Sequence, residues 1–120
     1  MADRFEDARG LIEDLLVEPL DSVTRIFTKA GAVRGNHIHR ETTQFTYVVS
    51  GHLLVAARLL GAETIVRQVG PGELVAEAPG IAHAWKALED CTCLVFTRGP
   101  RSGEGYEGDT ERLAGKDKLL

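Results

Sequence analysis

The stretch GAVRGNHIHRETTQFTYVVSG, Gly31 to Gly51, carries two of the chain's four histidines two residues apart, then Gln44, and closes on a glycine. In an extended segment His37 and His39 project from the same face, so two neutral nitrogens can reach one metal ion. Gln44 lies five residues beyond His39, too far along one straight strand. A bend near residues 40–42 returns its amide oxygen toward the pair. His83, in the separate run PGIAHAW, offers a third nitrogen from another strand. Three imidazoles and an amide oxygen suit a divalent transition metal with positions left open for water or substrate. The competing reading is a packed, hydrogen-bonded histidine in an apolar strand, and H-x-H alone is only suggestive.

Outward from this stretch the same period-2 pattern recurs in short runs bounded by Gly and Pro. SVTRIFTK (22–29), TTQFTYVVS (42–50), HLLVAARLL (52–60), TIVRQV (64–69), ELVAEA (73–78), IAHAWKA (81–87) and CTCLVFTR (91–98) are the expected strands. Gly51, GAE (61–63) and GPG (70–72) supply the turns between them. Evenly spaced hairpins predict an all-β sandwich or closed barrel rather than a βαβ fold. The ends differ from this middle. Residues 5–17 fit either a short helix or an added edge strand. The Gly- and charge-rich tail from Gly99 reads as a surface wrap with a loose end.

A chain of 120 residues holds one domain with its own core. Its 43% hydrophobic and 27% charged residues are globular composition. Lys plus Arg total 14 against 18 Asp plus Glu, a net charge of −4, which argues against nucleic acid as a partner. The first ten residues alternate acids and bases, unlike a signal peptide, and no apolar run approaches the roughly 20 residues a membrane span requires. The expectation is a cytoplasmic protein with no membrane partner. Cys91 and Cys93 share a strand face but are poorly placed to bond to each other, so they read as reduced, buried thiols; a CTC metal pair is the weaker alternative.

The glycines bring the sequence into register with a family. Gly31, five residues, His37-Ile38-His39, four residues, Gln44, six residues and Gly51 resemble the first cupin motif, G-x5-H-x-H-x(3,4)-E-x6-G, departing only at Gln44 where the family usually has Glu. Gly72, Ala78-Pro79-Gly80, His83 and Ala87 resemble the second motif, G-x5-P-x-G-x2-H-x3-N, with Ala78 and Ala87 replacing Pro and Asn. The resemblance implies a cupin double-stranded β-helix, a jelly-roll barrel of six to eight strands over residues 22–98. Residues 1–21 would form an N-terminal extension able to supply the strand through which cupins commonly dimerise, and residues 99–120 a tail. It also implies a metal held by His37, His39 and His83, with Gln44 a less secure fourth ligand. More narrowly, VRGNHIHRETTQ is similar to small cupins of bacterial surface-polysaccharide and deoxysugar biosynthesis.

With Gln44 in place of a glutamate, such a metal would keep its full charge and act as a stronger Lewis acid. Imidazole-rich coordination suits Zn, Ni, Fe or Cu. Strand parity predicts that Thr46 and Val48, with Gln44, and Ile81 and Trp85, with His83, line the pocket, while Phe45, Tyr47 and Val49 face away. Arg34 and Arg25 read as exposed rather than substrate-facing. His52, Glu41, Glu77, Tyr47 and Tyr106 are acid–base candidates, each with a solvated or packed alternative. The leading functional expectation is a metal-binding single-domain cupin acting on a small polar substrate, such as a carbohydrate or nucleotide-sugar, as an isomerase or epimerase. The rivals are a three-His metal dioxygenase and a non-catalytic small-ligand binding module.

Overall fold

The computed structural model describes residues 3–59, 61–100 and 103–120. The strands are β1 (Arg4–Asp7), β2 (Gly10–Glu13), β3 (Ser22–Thr28), β4 (Val33–His39), β5 (Thr43–Ser50), β6 (Leu53–Leu59), β7 (Ile65–Val69), β8 (Leu74–Glu77), β9 (Ile81–Ala87), β10 (Cys91–Arg98) and β11 (Thr110–Arg112). A helix, α1 (Gly103–Asp109), precedes β11, and a 3₁₀ turn (Gly115–Asp117) follows it. Two antiparallel sheets, in the orders β3-β10-β5-β8 and β11-β4-β9-β6-β7, make the expected all-β jelly roll.

Alternation builds the core. Along β10 every second residue from Cys91 to Thr97 is buried. Val48 from β5, Leu53 and Val55 from β6, Val75 from β8, Trp85 from β9 and Val95 pack with them. Cys91 and Cys93 point inward as free thiols with their sulfurs 3.7 Å apart, and burial, followed by Cys91's own charge, pushes the Cys93 thiol up to about 12. They are core residues.

Residues 4–13 form a hairpin of their own, neither the helix nor the added edge strand expected over 5–17, and residues 14–17 lie in no strand. β1 and β2 pair from Arg4↔Glu13 to Asp7↔Gly10 as a separate two-stranded sheet. Phe5, Leu11 and Ile12 stay exposed on it. Among the described residues no helix is long and apolar enough to cross a membrane.

The two glycines that bracket the first motif do different work. Both have positive φ, +85° at Gly31 and +84° at Gly51. A Cβ on Gly31 would meet nothing, whereas one on Gly51 would run into the Asp90 carbonyl and sit 2.8 Å from Cys91 Cα. Gly51 is therefore required by packing as well as by conformation.

The pairing of β4 with β9 slips between Gly35 and His37, leaving Asn36 as the extra residue of a β-bulge. Asn36 has φ 57°, the only positive value at a non-glycine among the described residues. A bulge changes which residues share a face. His37 is opposite His83, Gly35 opposite Ala84 and Arg34 opposite Trp85. Arg34 thus joins the histidine face, although an unbroken strand would place it on the other side.

Candidate active site

The two sheets enclose a cavity of about 350 Å³, and the histidines stand in its wall. β4 carries His37 and His39 and β9 carries His83, with His37 and His83 directly opposed across the ladder. Gly35 permits this close approach, since a Cβ there would lie 3.0 Å from the His83 carbonyl oxygen. The ring centroids are 4.5 Å apart for His37–His39, 4.6 Å for His37–His83 and 5.4 Å for His39–His83. One nitrogen from each ring lies within 4.8 Å of the others, and His37 Nε2 is 2.9 Å from His83 Nε2. Three imidazole nitrogens so grouped fit a divalent transition metal, which would bring a Lewis acid to the cavity wall.

His39 is backed by the tail. Its Nδ1 stands 3.2 Å from the Thr110 hydroxyl and 3.5 Å from Asp109 Oδ2, with both side chains of the His39–Asp109 pair nearly inaccessible. Asp109 itself is fastened to the turn between β4 and β5, accepting the Glu41 backbone N–H at 2.6 Å on Oδ1. Burial alone would raise its carboxyl, but Thr42, the Glu41 N–H and His39 outweigh that and hold it below the usual range. It is a carboxylate at neutral pH, oriented at an imidazole. Tyr106, one turn earlier on α1, lines the same cavity with its ring 5.8 Å from that of His39.

Beneath His83 lies a second buried carboxyl. Glu77 Oε2 is 3.0 Å from His83 Nε2, the Thr46 hydroxyl donates to Oε1 at 3.2 Å, and the Gln44 amide nitrogen donates to Oε2 at 3.3 Å. Burial pushes the Glu77 carboxyl up to about 8, although Thr46 and Trp85 pull it back. Burial, then the neighbouring His37 and His39, pushes His83 down to about 3. At neutral pH the contact is accordingly a neutral hydrogen bond between a carboxylic acid and an imidazole.

The expected site residues divide by depth. His37, His39, His83, Gln44 and Trp85 line the cavity. Thr46 and Val48 share Gln44's inward face as parity required, but both are fully buried outside the lining, Thr46 in the Glu77 network and Val48 in the core. Ile81, at the start of β9, is half-buried and also lies outside the lining. The side-chain nitrogen of Gln44 is spent on Glu77 and on the Thr46 hydroxyl at 3.3 Å. Of the residues expected to face away, Val49 is exposed, Tyr47 half-buried and Phe45 buried.

Three further groups join the site: Arg34, which is exposed as its sequence reading expects yet also borders the cavity, and two residues without a local sequence signal. Arg34 lines the cavity, with its guanidinium held by the Thr28 hydroxyl at 2.9 Å and the Phe27 carbonyl at 3.0 Å. Only the bulge puts it there. Asp109 and Thr110 arrive from a segment about seventy residues downstream of His39, which read as surface wrap.

A two-sheet jelly roll whose cavity is walled by a two-strand histidine cluster defines the class. The cupin family model matches residues 16–107, and the chain belongs to the cupin family. Solved structures with this fold include dTDP-4-dehydrorhamnose 3,5-epimerase from Sulfolobus tokodaii, 18% identical over 95% of this chain and 74% of that one, with a TM-score of 0.75. QdtA, a sugar 3,4-ketoisomerase from Thermoanaerobacterium thermosaccharolyticum in complex with TDP, is 15% identical over 93% of this chain and 84% of that one, with a TM-score of 0.76. The capsular polysaccharide assembling protein CapF from Staphylococcus aureus is 24% identical over 94% of this chain, which spans 32% of CapF, with a TM-score of 0.72. At these identities the likeness establishes the shared fold. No curated protein sequence matches the chain.

Proposed function

We propose that this cupin is an isomerase or epimerase acting on a keto sugar carried by a nucleoside diphosphate, with His39 as general base. The carrying observation is the His39–Asp109 pair, a buried imidazole at the cavity wall with an ionised carboxylate 3.5 Å behind its Nδ1. Nδ1–H faces the carboxylate and Thr110, so Nε2 accepts the proton. Removing a proton from the carbon next to a carbonyl leaves an enolate and an imidazolium, and Asp109 stabilises the imidazolium. Delivery of a proton from solvent to the opposite face of that carbon, with the imidazolium then releasing its own proton to solvent, epimerises it. A proton delivered to the carbonyl oxygen instead begins a ketoisomerisation. Tyr106, on the same cavity, is the phenol placed to supply that proton. A volume of about 350 Å³ accommodates a sugar ring. Arg34, anchored at the wall, supplies a cation for the diphosphate.

The test is incubation with a TDP-linked 4-keto-6-deoxy sugar in heavy water, followed by proton NMR. Loss of the signal next to the carbonyl in the wild type, but not in His39→Asn, is expected. No exchange in either would overturn the proposal.

The 4.8 Å grouping of three imidazole nitrogens favours a second reading, a metal centre on His37, His39 and His83 with Zn, Ni, Fe or Cu as the ion. Under it His39 Nε2 is a ligand rather than a base, with Asp109 fixing the ring. Protein freed of metal with a chelator should keep its exchange activity under the first reading and lose it under the second, regaining it with the ion.

The proposal includes a cytoplasmic homodimer. The homodimer is supported by the exposed apolar side chains of the β1–β2 hairpin, Phe5 at 57% and Ile12 at 69% exposure. Sedimentation of wild type against Ile12→Lys tests the dimer.

A further inference from the structure

We infer that Asn36 is a positioning residue: it latches the C-terminal segment to the strand that carries His37 and His39, and so holds Arg34, Asp109 and Tyr106 around the cavity together. The observations are independent of the histidines' own chemistry. Asn36 is 8% exposed and occupies the left-handed region, which asparagine enters more readily than other non-glycine residues. Its carbonyl and both polar atoms of its side chain bond to residues 113–120. Its carbonyl accepts the Leu113 N–H at 2.8 Å. Its Oδ1 accepts the Leu119 N–H at 2.8 Å and the Leu120 N–H at 3.3 Å, while Nδ2 donates to the Leu120 carbonyl at 3.0 Å.

This latch sits at the one place where two requirements meet. On the β4 side, the bulge at Asn36 is what turns Arg34 onto the cavity face opposite Trp85. On the tail side, β11 pairs with β4 only from Thr110↔His39 to Arg112↔His37, three residues, and ends next to the bulge. So short a strand is weakly held by its own ladder. Its immediate neighbours Asp109 and Thr110 are the groups behind His39. The bonds from Asn36 to Leu113, Leu119 and Leu120 extend the tail's attachment past the end of β11. They anchor that segment to the same backbone that aims Arg34.

The inference rests on the proposed function only in naming the diphosphate as ligand, so its test has one arm without ligand. Asn36→Gly keeps the backbone conformation and removes the side-chain latch. Leu119→Pro removes one donor from the other side; the preceding Lys118, at φ −61° and ψ 145°, already has the conformation a following proline requires. Hydrogen exchange by mass spectrometry should show residues 106–113 exchanging roughly tenfold faster in Asn36→Gly, with β5 and β10 unchanged. Calorimetric affinity for TDP should weaken by a similar factor. Leu119→Pro should do the same to a smaller degree, and the double variant should be no worse than Asn36→Gly, because both break one latch. Wild-type exchange at 106–113 in Asn36→Gly, or additive effects in the double variant, would overturn the inference. Should wild-type protein fail to bind TDP, the nucleotide reading falls, and the exchange arm still decides the latch.

Discussion

Replacing Asp109 by Asn isolates the charge behind His39 from the shape around it. The amide oxygen can still accept the Glu41 N–H, so the junction between α1 and the β4–β5 turn is kept while the carboxylate is removed. At 3.5 Å, and with an effective dielectric constant of about 20, the attraction between an imidazolium and this carboxylate is about 5 kcal/mol. Both groups are almost fully buried, so solvent screening takes little from that figure. It is a ceiling, since the site relaxes around the charge; between 10²- and 10³-fold in the rate of proton abstraction is the order of magnitude expected at about 1.4 kcal/mol per decade. The assay is single-turnover deuterium incorporation next to the carbonyl of the keto sugar. Thermal unfolding beside it should move by only a few degrees. Exchange at the wild-type rate in Asp109→Asn would mean that His39 does not collect a proton against this carboxylate, and the base assignment would be lost.

The other predictions concern stability and binding. In metal-free protein the buried pair makes a stability profile with two edges. Glu77, raised to about 8, contributes stability that is full below its unfolded value and falls as pH rises toward 8; His83, lowered to about 3, contributes stability present above its unfolded value and lost as pH falls toward 3. Between the two unfolded values of 4.5 and 6.5 the slopes oppose each other and cancel, so urea unfolding should show a plateau there, an alkaline decline from 6.5 to 8 and an acid decline below 4.5. Glu77→Gln should abolish the alkaline decline; its persistence would refute the assignment. Gly51→Ala should cost about 3 kcal/mol or more, from backbone collision as well as positive φ, and Gly31→Ala only about 1 kcal/mol, because only the φ term applies there; equal losses by denaturant titration would contradict the geometry. Arg34→Gln should weaken TDP binding roughly tenfold, as removal of one charged contact to phosphate predicts, with only a small fall in the unfolding midpoint from the lost bonds to Thr28 and Phe27.

Local patterning suffices for most of the strands and for the shared face of His37 and His39, and the match to the second cupin motif adds His83. Strand alternation is a local property, and His37 and His39 announce their common face through spacing alone; Gln44 joins them only because the chain turns after β4 and crosses to the other sheet, and the motif glycines add where the chain turns. Parity also placed Thr46 and Val48 inward. It could not say that they lie below the cavity, because depth depends on how far the facing sheet stands from each position. Three further matters were decided only by tertiary structure. The bulge at Asn36 reverses the face of Arg34, and a two-residue period has no means of announcing an inserted residue. Asp109 reaches His39 because β11 docks on β4, a pairing between segments distant in sequence that short-range patterns do not encode. Glu77 sits directly across the ladder from Gln44, and it is that cross-strand position that gathers a buried carboxyl, a threonine, an amide and an imidazole into one network. Burial, absent from the sequence, then decides which member of that network holds the proton.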